Sequence, residues 1–100
     1  MARELRLALL GFGHVGQRFA ERLRGPYRRV LRAEGVAVRV TGIATGRHGM
    51  AIDARGLDLG KALKLVGSGR SLDALHRGPG LKSVRSFMST IPADVLFELG

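Results

Sequence analysis

Five of the six residues from Leu5 to Leu10 are apolar, and the run stops at Gly11-Phe12-Gly13-His14-Val15-Gly16. Val15, Phe19 and Leu23 then recur every four residues, which predicts a strand, a glycine turn and a helix from about His14 to Arg24. Gly25 suits a C-terminal cap and Pro26 the first turn of a second helix. Tyr27, Val30 and Leu31 carry that helix to about Glu34, with Gly35 as its stop, and the two helices are expected to cover one sheet face together. Val36 to Ala44 is β-branched and almost continuously apolar, as a buried parallel strand should be. Strand, helix and strand make a βαβ unit, right-handed by rule.

The second half of the chain has a weaker pattern. Residues 50–57 read as loop. Leu59, Ala62, Leu63 and Val66 predict a helix over Leu57–Val66, with Asp58 as cap and Gly67 as stop. A short helix over Ser71–His76, capped by Ser71, ends at Gly78-Pro79-Gly80. Val84 to Phe87 predicts a short edge strand. Pro92 keeps the residue before it out of a helix, and Asp94 to Leu99 reads as a buried strand. The elements together predict an α/β fold: a Rossmann-like, doubly wound parallel sheet, partial, with about four strands.

The glycine turn is where chemistry enters. Gly11 lets the chain leave the strand sharply, Gly13 lets backbone approach a pyrophosphate, and Gly16 lets the helix pack closely. The helix then starts with free N–H groups and the positive end of its dipole towards the phosphates. With 15 glycines in 100 residues the bare spacing is weak evidence, and a plain glycine-rich turn is the competing reading. The strand before it and the amphipathic helix after it favour a dinucleotide. After the second strand, where NAD-binding folds place an acid for the ribose hydroxyls, stands Thr45-Gly46-Arg47-His48-Gly49. A guanidinium there suits a 2′-phosphate, so Arg47 points to NADP(H), with NAD(H) as the alternative and an ordinary loop arginine as the bland reading. His48 is placed beside it, for adenine or phosphate, against the reading of a solvated loop histidine.

Composition narrows the rest. There is no cysteine, so disulfides, a thiol nucleophile and cysteine-ligated metals are excluded. The histidines and acids lack metal-ligand spacing, and the serines lack a nucleophile elbow, so no metal site and no catalytic residue is assigned. The short apolar run in MARELRLALLG is interrupted by Arg6 and reads as a strand and not as a signal peptide; no run has membrane-spanning length, and a cytoplasmic home is expected. The net charge of +9 comes largely from arginine, densest at Arg18, Arg22, Arg24, Arg28, Arg29 and Arg32. No stacking platform accompanies it, so a nucleic-acid partner is not expected. A solvated helix face, or one that docks on an acidic domain, is the alternative.

The series LALLGFGHVGQ, VTGIATGRHG, GLDLGKAL and ADVLFEL resembles, in order and spacing, the N-terminal nucleotide-binding part of homoserine dehydrogenase, over Leu5 to Leu99. The resemblance implies an oxidoreductase that interconverts aspartate 4-semialdehyde and homoserine in threonine, methionine and isoleucine biosynthesis. It implies that Gly11, Phe12, Gly13, His14, Val15 and Gly16 hold the pyrophosphate, and that Arg47 meets the 2′-phosphate. It also implies that Val95–Leu99 lies beside the first strand and faces the nicotinamide. His14 departs from the family's Thr or Ser, and Gly100 from its threonine. The family's Asn-Lys pair and its catalytic Lys and acids are not in these 100 residues. The chain is therefore expected to be one dinucleotide-binding domain, 1–100, the N-terminal fragment of a longer enzyme without its catalytic domain. Alone it should bind cofactor, fail to catalyse, and tend to self-associate through an open sheet edge. A related reductase of the aspartate dehydrogenase or dihydrodipicolinate reductase type, or a non-enzymatic basic nucleotide-binding module, is the competing function.

Overall fold

The fold is a four-stranded, mostly parallel sheet with helices on both faces, and the computed structural model describes residues 3–99. Strand β1 (Arg3–Leu10) is central, flanked by β2 (Val36–Ala44) and β4 (Val95–Glu98), both parallel to it. The short β3 (Met50–Ile52) closes the order β3-β2-β1-β4 and runs antiparallel to β2. The expected class holds, with that strand as the departure from a purely parallel sheet.

Alternation along β1 divides the core. Leu7 and Leu9 face α1 (His14–Arg24) and α3 (Leu59–Gly67), packed with Ala20, Leu23, Ala62, Val66 and Leu72. Ala8 faces α4 (Val84–Thr90) and joins Ala44, Ile52 and Phe87. Asp58 caps α3, its carboxylate accepting the Lys61 N–H at 3.1 Å. Ser71 caps a 3-10 turn at Leu72–Leu75 through the Asp73 N–H. The expected stops at Gly25 and Gly35 hold, and Gly35 takes φ +77.

Several expectations are corrected. Val84–Phe87 is helix, because Ser83 and Ser86 cap each other reciprocally and Phe87 fills the second core completely. Residues 50–57 are loop only after Ile52, since Met50–Ile52 completes a hairpin with Gly42–Ala44. Helix α3 starts at Leu59 and not at Leu57, whose N–H instead reaches the Val40 carbonyl at 2.7 Å. The second helix, α2 (Pro26–Ala33), forms and packs on β2 and α1 as expected, although none of its residues is fully buried. Val15 is 63 % exposed and not part of the core. Strand β4 lies where expected beside β1; its apolar run reads as buried, but with one neighbour strand it forms the expected open edge, and Val95, Leu96 and Phe97 stay 37–40 % accessible. Gly100 lies outside the described residues.

Candidate functional site: a crevice at the carboxyl ends of β1, β2 and β4

From β1 the chain winds outward to β2 and β3, then returns to place β4 on the other side of β1. The crevice between outgoing and returning connections, at the strands' carboxyl ends, is where open α/β sheets take ligands. A cleft of about 270 Å³ lies there, lined by Leu10, Gly11, Ala44, Thr45, Gly46, Val84 and Glu98.

Gly11 makes the turn at φ +101, a conformation that side chains disfavour. Its N–H donates to the Ala44 carbonyl at 2.7 Å, which ties the turn to the end of β2. The Phe12 side chain is only 3 % exposed and belongs to the core, so its contribution to the crevice is its backbone. The Phe12 carbonyl accepts the Gln17 side-chain amide at 3.1 Å, steadying the turn. Gly13 caps α1 without a side-chain hydrogen bond, and no acid occupies the first turn. The Gln17 N–H makes the first helical bond, to the Gly13 carbonyl at 2.9 Å. The N–H groups of His14, Val15 and Gly16 therefore precede the intrahelical ladder.

The last two glycines differ in what surrounds them. A Cβ on Gly13 would meet no heavy atom within 4 Å. One on Gly16 would stand 2.7 Å from the Gly11 carbonyl oxygen. Gly16 is thus required by the packing of α1 against its own turn, whereas the space at Gly13 is open for a ligand. That open space, the free helix start and the turn at Gly11 fit the pyrophosphate of a dinucleotide.

Thr45–Gly49 is the hairpin loop between β2 and β3. The Thr45 hydroxyl donates to the Gly49 carbonyl and accepts the His48 N–H, both at 2.7 Å. The His48 carbonyl accepts the Leu72 N–H at 2.6 Å, joining the loop to the 3-10 turn. Arg47 stands exposed at the loop tip, and His48 is half-buried. Of the residues singled out by sequence, Gly11 lines the cleft itself; Arg47 and His48 follow its lining residue Gly46, and His14 and Val15 lie exposed outside it. Thr45, Val84 and Glu98 line it without having been singled out. Glu98 could have been anticipated from its place at the carboxyl end of a strand beside β1.

The remaining histidine has structural work. His76 accepts the Ile52 N–H on Nδ1 at 2.9 Å and donates from Nε2 to the Pro79 carbonyl at 2.7 Å. Among the described residues there is no acidic or histidine cluster able to hold a metal, and no helix long and apolar enough to cross a membrane.

No family model and no curated protein sequence matches the chain. Among solved structures, its fold is similar to that of a homoserine dehydrogenase from Thermoplasma acidophilum, with a TM-score of 0.68 at 24 % identity. The match covers 98 % of this chain and 27 % of that one, so this chain spans about a quarter of its neighbour's length. What the two share is the fold.

Proposed function

We propose that this chain is the nicotinamide dinucleotide-binding domain of an oxidoreductase of the homoserine dehydrogenase kind, and that it favours NADP(H). The observation that carries the reading is the glycine turn. It sets an uncapped helix start and an unobstructed Gly13 at the switch point of the sheet.

In this reading the backbone from Gly11 to Gly16 holds the pyrophosphate. Charge is neutralised there by the α1 N–H groups and dipole and not by a side chain, which is why His14 can replace a smaller residue. Arg47 supplies a planar donor pair for the 2′-phosphate, and His48 flanks it. The end of β4 borders the nicotinamide. When bound, the cofactor supplies or accepts a hydride; this chain's part is to bind and orient it. The groups that would position aspartate 4-semialdehyde and move its proton belong to a further domain. The exposed apolar side chains of β4 form an edge that such a domain, or a second copy of the chain, would cover.

Calorimetric titration of the chain with NADPH and NADH tests the reading. Saturable binding of NADPH, tighter than NADH, with no oxidation of NADPH by aspartate semialdehyde, is the expected result. Failure to bind either cofactor would end it.

A further inference from the structure

The arginine patch has no part in that reading, and it is not a uniform face. Arg24, Arg28 and Arg32 line a cavity of about 360 Å³ with Arg39 and Arg55, between the end of α1, α2, the first half of β2 and the approach to α3. Leu23, Val40 and Leu57, all buried, form part of its apolar floor. β3 pairs only with Gly42–Ala44, and the Asp53 and Leu57 N–H groups cover the Thr41 and Val40 carbonyls, so the earlier part of β2 has no neighbour strand on that side among the described residues.

The charges are poorly compensated. Arg39 pairs with Glu4 at 3.2 Å and Arg55 with Asp53 at 3.6 Å. Asp58 also lines the cavity, but one of its oxygens is engaged in capping α3. Arg24, Arg28 and Arg32 make no ion pair among the described residues. Arg28 and Arg32 stand four residues apart on α2, where like charges repel. Arg24 reaches across to α3, with its Nη2 3.0 Å from where a Cβ on Gly60 would lie. Helix α2 packs on β2 and α1 and leaves Arg28 and Arg32 exposed beside the cavity.

We infer that this cavity is a second anion site, which takes a small ligand carrying two linked phosphate groups. Guanidinium forks match phosphate oxygens in pairs, and a partly apolar wall strengthens the attraction. The volume suits a small molecule and not a folded partner. The site is separate from the crevice: the two share no lining residue, and along β2 their nearest, Val40 and Ala44, stand four residue steps or roughly 13 Å apart.

The test is calorimetric titration of pyrophosphate into the full chain, its Gly13→Val variant and two arginine pairs. Saturable binding that survives Gly13→Val is expected. It should weaken about tenfold or more in Arg28→Gln/Arg32→Gln, while NADPH affinity stays unchanged. Removing the same charge outside the cavity, in Arg18→Gln/Arg29→Gln, should change pyrophosphate binding by less than about threefold. Competition by ADP would identify a nucleoside diphosphate as an admitted source of the group, and its failure a free diphosphate; either supports the site. Equal losses in both arginine pairs, binding abolished by Gly13→Val alone, no saturable binding, or tighter binding of a glutamate-rich peptide would overturn it. Circular dichroism of each variant shows whether a loss reflects unfolding.

Discussion

Asp94 grips Arg6 with both its side chain and its backbone. Its carboxylate accepts the Arg6 N–H at 2.9 Å and the guanidinium at 3.1 Å, while its own N–H donates to the Arg6 carbonyl at 2.8 Å. The guanidinium is the main cause that holds the Asp94 carboxyl below the ordinary 3.8, with the backbone N–H adding to it. The same pairing raises Arg6. This contact sets where β4 begins against β1.

A depressed carboxyl contributes stability that is present above its unfolded value and lost as pH falls through the folded one. Acid should therefore loosen the β1–β4 junction below about pH 4, the usual carboxylate range. Asp94→Asn should flatten that part of the stability profile. Thermal melts across the acid range check it; an unchanged profile in the variant would remove Asp94 as a cause.

Gly13→Val and Gly16→Val should fail in opposite ways. The first should keep the fold and lose cofactor, because its side chain occupies only the space open to a ligand. The second should lose stability by about 1–3 kcal/mol, as overpacking does, because α1 must move off the Gly11 carbonyl. Circular dichroism and NADPH titration of both variants separate the two effects.

Arg47→Ala should cost about 1–3 kcal/mol of NADPH affinity, the range for a lost charged hydrogen bond, and little for NADH. Calorimetry with both cofactors decides it. Equal losses would mean that Arg47 does not read the 2′-phosphate.

Gly42→Ala should be costly although it adds one methyl. A Cβ at Gly42 would meet the Ile91 side chain and lie 2.9 Å from Phe87 Cζ, so the side chains that seat α4 on the sheet must shift. About 1–3 kcal/mol is expected, read from urea unfolding. A neutral result would show α4 to be loosely seated.

Leu96→Lys should reduce self-association through β4, because a charge on an edge strand opposes pairing with another chain. Melting the chain at two concentrations, with and without NADPH, checks both edge and cofactor. Concentration dependence should fall in the variant, and NADPH should raise the midpoint by binding linkage.

The first half of the fold was legible because its signals are local. An apolar run, a glycine turn and a β-branched run each decide their element within ten residues. Strand β3 was not, since three residues become a strand only against Gly42–Ala44. Val84–Phe87 misled because Val84 favours a strand locally. The reciprocal Ser83–Ser86 cap and the fit of Phe87 over Gly42 decide otherwise. Val15 kept the helical spacing yet faces solvent, because Phe12 of the turn fills the core beneath α1. At the crevice the glycine turn was visible in sequence. Val84 was not, because it reaches the crevice only as the first residue of α4, whereas Glu98 lies in Val95–Leu99, which the resemblance places beside β1.

The hairpin loop at Thr45–Gly49 is fastened on three sides. Thr45 closes it, the His48 carbonyl ties it to Leu72, and the Asp73 carboxylate holds the Met50 N–H at 3.0 Å. An insertion or deletion would therefore break anchors in two elements at once and shift β3 by a register that turns its side chains over. A substitution at Gly46 or Arg47 disturbs none of these bonds. On the proposed reading of Arg47, cofactor preference would then be open to change, by evolution or by an engineer, through exchange of side chains at constant length.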